Sequence, residues 1–159
     1  KLAFPKRNSV KNTGVLEKYL KRKNIYISDE DDISQAQILK KLSDSFCTGG
    51  YVTKEYYSSL IEREKNGGTD IITGGAIPHG SIQFVKKTQL ALWISKKPIK
   101  WNKYRVTCII LFALSKDDLS ESKKILEAAF SLINTKEKVE RITALKAKKD
   151  VEEYIYGEH

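Results

Sequence analysis

The run Arg105-Val106-Thr107-Cys108-Ile109-Ile110-Leu111-Phe112-Ala113-Leu114-Ser115 decides the fold class. From Val106 to Leu114 only Thr107 interrupts the apolar character. A half-exposed strand would alternate apolar and polar residues; this one does not, so burial on both faces at the centre of a sheet is expected. The run is far shorter than the roughly 20 residues that a membrane-spanning helix needs, and no membrane insertion is expected. On its N-terminal side Thr88–Ser95 reads as a second strand. On its C-terminal side Asp117, Asp118 and Ser120 offer caps for a long helix reaching Ile133, with Ile125, Leu126, Ala129, Phe130 and Ile133 at core spacing. Val139, Ile142 and Leu145, then Val151, Tyr154 and Ile155, mark one or two weaker helices at the end.

Further back, a first helix is expected from about Gly14 to Lys23, with Val15, Leu16, Tyr19 and Leu20 on one face. A short strand follows at Asn24–Ser28. Asp29-Glu30-Asp31-Asp32 precedes a helix from about Ile33 to Phe46, and negative charge there favours the exposed N–H groups of a helix start. Leu39, Leu42 and Phe46 form its buried stripe, and Gly49-Gly50 ends it. Thr53 can cap a third helix, about Lys54 to Lys65, whose apolar face is Tyr56, Tyr57, Leu60 and Ile61. Helices alternating with a few strands predict an α/β domain around one sheet, and 159 residues suffice for one such core.

The net charge of +9 is unevenly placed. Residues 1–23 hold eight Lys or Arg and one acid, leaving 21 of the 29 bases and 19 of the 20 acids for the other 136 residues. The excess sits in an N-terminal arm and first helix rather than in a patch with interleaved aromatics, which argues against direct nucleic-acid contact. Residues 1–12 are expected to be a linker or appended arm, and residues 13–156 the domain. The chain starts at Lys1 and contains no Met, as expected of a piece of a longer polypeptide, and no secretory signal is legible. Cys47 and Cys108 lie in apolar segments and read as buried free thiols of a cytoplasmic protein. Neither a metal-ligand cluster nor a cofactor motif is expected.

Apart from His159, set aside as terminal, His79 is the only histidine. It stands in the Gly-rich stretch from Gly67 to Ser81, between Pro78, which fixes the backbone, and Gly80, which permits close approach. An imidazole near neutral pH can act as a nucleophile and later release what it has accepted. The same residue can equally be a turn histidine hydrogen-bonded to a carbonyl. Arg63 reads either as an anion-binding guanidinium or as a helix-end charge paired with Glu62 or Glu64.

Leu60-Ile61-Glu62-Arg63-Glu64, then Thr69, then Gly75-Ala76-Ile77-Pro78-His79-Gly80 resembles the signature of the mannitol/fructose-type enzyme IIA domains of the bacterial phosphotransferase system. Arg63 and His79 are sixteen residues apart, as in that family. Gly50-Tyr51-Val52-Thr53, Tyr57, Pro98-Ile99 and Trp101 agree as well, so the resemblance covers about residues 14–156. It implies a mixed β-sheet flanked by helices on both faces and a phosphoryl group accepted on His79 from the histidine-phosphorylated carrier HPr. It implies that Arg63 neutralises the phosphoryl oxygens. Thr69 either shapes the phosphate site or starts the next strand, and backbone N–H groups around Gly80 and Ser81 are candidates for an anion nest. Transport-active members carry a second His near the start of the long helix; Ser122 occupies the corresponding position here. This departure favours a sugar-sensing domain of a transcriptional regulator or antiterminator, joined to other domains of the same polypeptide. The alternative is a transporter component, a phosphotransferase passing phosphate to a IIB domain.

Overall fold

The computed structural model describes residues 10–157, and the side chains of residues 12–157. Most of the expected 1–12 arm therefore lies outside the described residues, as does His159. Val10–Asn12, placed in that arm, already belong to the first helix.

Among the described residues four strands make one mixed sheet in the order β1-β3-β4-β2. They are β1 (Leu20–Ser28), β2 (Gly75–Ala76), β3 (Gln89–Lys100) and β4 (Arg105–Ala113). β3 and β4 pair antiparallel in the middle, while β1 runs parallel to β3 and β2 parallel to β4. The apolar run thus lies at the sheet centre as its composition requires, because both of its faces are covered. Cys108, Ile110 and Phe112 point with Leu90, Leu92 and Ile94 to one side; Ile109, Leu111 and Ala113 point with Ala91 and Trp93 to the other. The first side is covered by α1 (Val10–Tyr19), α4 (Ser122–Phe130), α5 (Lys136–Ala144) and α6 (Lys148–Tyr156). The second is covered by α2 (Gln35–Thr48) and α3 (Tyr56–Lys65). Helices on both faces of a mixed sheet are the architecture expected from the sequence.

Several local expectations are corrected. Leu20–Lys23 belong to β1 rather than to the first helix, because Leu20 pairs with Leu90 of β3 and the chain then bulges until Ile25 meets Leu92. α2 is capped by Ser34, whose hydroxyl accepts the Gln37 N–H while the Gln37 side chain accepts the Ser34 N–H. This reciprocal capping box replaces the acids, which stand before it; Asp31 instead pairs with Lys97. Gly50, at a φ of 82°, closes α2 with Tyr51 N–H donating to Phe46 O at 2.9 Å. α3 starts at Tyr56 with Glu55 as its N-cap and no side-chain cap, so Thr53 is not the cap expected of it; its carbonyl accepts the Tyr56 N–H in the preceding turn. The long helix begins as a 3₁₀ segment, Lys116–Glu121, capped by the Ser115 hydroxyl. α4 buries Ile125, Ala128 and Ala129. Leu126 and Phe130, expected in the core, are 44% and 42% exposed, because the 3.6-residue period carries them onto the helix flank. Cys108 is buried, but Cys47 is only half-buried, and both are free thiols. No described helix is long and apolar enough to cross a membrane.

Candidate functional site

His79 follows β2, whose two residues pair with Cys108 and Ile109 of β4. Gly75 makes that pairing possible beside the turn that follows α4, since a Cβ there would stand 2.7 Å from Ile133 Cδ1. The pairing extends past the strand: Phe112 N–H donates to Pro78 O at 3.0 Å. The central strand therefore carries the His79 loop as far as its own C-terminal end. There His79 Nδ1 lies 3.1 Å from Ile77 O. A carbonyl oxygen only accepts, so Nδ1 carries the proton and Nε2 keeps its lone pair. The carbonyl bond expected of a mere turn histidine is present, and in the neutral ring the same bond leaves Nε2 as the nitrogen with the free lone pair.

α3 supplies the other wall. His79, Arg63, Ser59, Asn66, Gly80 and Ser81 are among the side chains and backbone lining one open depression of about 320 Å³. Arg63 commits one of its donors to Gly67 O at 2.5 Å, the carbonyl of the turn that ends α3. It forms no described ion pair with Glu62 or Glu64, so the helix-end pairing considered for it does not occur among the described residues. Glu62 also lines the depression and brings negative charge to its rim.

Glu64, the neighbour of Arg63 in the motif, faces the other way. Its carboxylate accepts the Thr69 N–H at 3.1 Å, the Thr69 hydroxyl, and the Trp101 indole N–H at 3.0 Å. Thr69 in turn accepts the Ile77 N–H on its carbonyl at 3.2 Å. Both Thr69 donors are thus directed at Glu64, and its place is in the support of the loop rather than in the depression. The expected anion nest is also corrected. Gly80 N–H donates to the Tyr56 hydroxyl at 3.2 Å, and Ser81 N–H donates to Ser59 Oγ at 2.9 Å. Those two N–H groups hold the loop to α3 and are not directed at an incoming anion. Ser122, the half-buried first residue of α4, is not among the groups lining the depression.

Two residues of the site lie outside the motif: Tyr56, on the buried face of α3, and Ser59. Ser59 lies one helical turn before Arg63, so the i, i+4 spacing was the signal available for it. Among the described residues no three His, Cys, Asp or Glu side chains gather to hold a metal ion.

His79 and Arg63 thus line one depression at the end of the central strand. The family model described as "Phosphoenolpyruvate-dependent sugar phosphotransferase system, EIIA 2" matches residues 18–157, and the chain belongs to this family. Among its curated relatives, the transcriptional regulator ManR of Bacillus subtilis (strain 168) is 27% identical over 107 residues, which is 67% of this chain and 16% of ManR. The probable licABCH operon regulator of the same organism is 29% identical over 118 residues, 74% of this chain and 18% of that protein. The chain thus spans less than a fifth of either relative. Among solved structures, the mannitol enzyme IIA of Escherichia coli, in its complex with phosphorylated enzyme IIB, superposes with a TM-score of 0.74 at 18% identity. That match covers 87% of this chain and 99% of the other, and it bears on the fold.

Proposed function

We propose that this domain accepts a phosphoryl group on Nε2 of His79 from histidine-phosphorylated HPr in the cytoplasm. The observation that carries this is the placing of His79 and Arg63 around one depression in a chain of the enzyme IIA family. In the transfer the Nε2 lone pair attacks phosphorus, the donor's N–P bond breaks, and the donor nitrogen keeps the electron pair. The proton stays on Nδ1, donated to the Ile77 carbonyl, throughout. Arg63, with donors beyond the one on Gly67 O, neutralises the equatorial oxygens as charge spreads over them. The Ser81 hydroxyl adds a neutral donor.

The test is incubation with enzyme I, HPr and labelled phosphoenolpyruvate. One acid-labile, base-stable label is expected, and it should be absent from His79→Ala. A His79→Ala chain labelled at the parental rate would dispose of the reading.

The regulatory relatives favour a sugar-sensing role for the phosphorylated state, as part of a longer transcriptional regulator or antiterminator. His79 is the only histidine among the described residues, so no second imidazole assists release. The phosphorylated domain should therefore form from HPr but transfer slowly to fructose- or mannitol-type IIB proteins. Rapid transfer by the unaltered chain to a IIB partner would make it a transporter component instead, the relationship that the E. coli complex illustrates.

A further inference from the structure

The ring of Tyr56 is wholly buried beneath the His79 loop, yet its hydroxyl is the one atom that joins the loop to both of its supports. It donates to Phe112 O at 3.1 Å, at the end of β4, and accepts the Gly80 N–H at 3.2 Å. Phe112 also donates its own N–H to Pro78 O. The residues on either side of His79 are therefore tied to Phe112, one directly and one through the Tyr56 oxygen. A second tie runs alongside. Ser59 Oγ accepts the Ser81 N–H at 2.9 Å and donates to Tyr56 O at 2.7 Å. The loop comes so close that a Cβ on Gly80 would stand 2.9 Å from Tyr56 Cε1. Burial pushes the Tyr56 phenol well above its usual pKa, so it stays protonated and keeps its bond to Phe112 O at any working pH.

Resting on the phosphoacceptor role of His79, we propose that Tyr56 is a positioning residue for phosphoryl transfer: through Gly80 and Phe112 its hydroxyl sets where Nε2 stands. Tyr56 does not touch the incoming group. Its effect is on the fraction of time that the imidazole holds its Nδ1–H on Ile77 O, which leaves Nε2 unprotonated. Attack geometry is sensitive to displacements of this kind, and a shift of about 1 Å can cost on the order of a hundredfold in rate. Losing one tie of two should be milder, about tenfold.

Tyr56→Phe keeps the ring that fills the core and deletes only the hydroxyl. At saturating phospho-HPr its labelling rate constant should fall about tenfold, with the half-saturating HPr concentration unchanged. In ¹⁵N spectra the Gly80 amide should lose exchange protection, and the His79 ring should shift from the Nδ1–H form toward a mixture of tautomers. Parental labelling kinetics in Tyr56→Phe would overturn the proposal, as would a loss expressed only in the half-saturating concentration. Ser59→Ala, at a half-exposed position, is the second variant. It should slow labelling in the same sense by a smaller factor, and it decides the matter if Tyr56→Phe does not fold. The two ideas fail separately. If the parent itself takes no label, the phosphoacceptor reading falls, and unchanged His79 tautomers in Tyr56→Phe then sink the positioning role on their own.

Discussion

Glu64 lies in the motif beside Arg63 but does not line the depression, so its substitution tests the support of the loop. In Glu64→Ala three hydrogen bonds disappear, from Thr69 N–H, Thr69 hydroxyl and Trp101 Nε1–H. Trp101 is only 6% exposed, so its indole N–H would be left without an acceptor and with little access to water. That should cost about 1–2 kcal/mol. Thr69 is half-exposed, and water can replace much of what it loses, adding about 1 kcal/mol. The whole is about 2–3 kcal/mol, which in a domain of this size lowers the melting temperature by roughly 5–10 °C. Differential scanning calorimetry on the parent, Glu64→Ala, Trp101→Phe and the double variant closes a cycle. Trp101→Phe removes the buried donor, so Glu64→Ala should cost about 1 kcal/mol less in that background. A Glu64→Ala chain melting within a degree of the parent would refute the reasoning. So would strict additivity of the two substitutions, since it would mean that the indole gains nothing from the carboxylate.

Arg63→Ala should leave the melting temperature nearly unchanged and slow labelling of His79 by about 10²–10³, the usual cost of removing one charge-assisted contact from a preorganised site. Arg63→Lys should recover part of that, because a point charge replaces a planar fork; parental rates in both variants would reduce Arg63 to a helix-end charge. The Cys108 thiol is pushed up to about 11 by burial, so near pH 8.5, where an ordinary thiol is half ionised, Cys108 stays protonated. One equivalent of a thiol reagent should react with the native chain, at Cys47, and two after denaturation; rapid native modification of Cys108→Ser and Cys47→Ser alike would contradict this.

The sequence by itself determined the α/β class, the central place of Arg105–Ser115, and the candidate histidine, His79. Each of these rests on a property that one segment possesses alone. An apolar run without alternation has to be covered on both faces, and besides the terminal His159 the chain has no other histidine than His79. The motif spacing placed Arg63 with His79, because sixteen residues of helix end and loop can fold back on themselves. Only the tertiary structure decided the rest. Whether Leu20 ends a helix or begins a strand depended on Leu90, seventy residues away. Leu126 and Phe130 fitted a helical stripe as well as Ala128 did, and only the surface presented by the sheet selected between them. The N–H groups of Gly80 and Ser81 were free to bind an anion as far as local sequence could say. Tyr56 and Ser59, more than twenty residues earlier, claimed them. A buried donor is satisfied by whichever acceptor the packing brings to it, and that choice belongs to the folded chain.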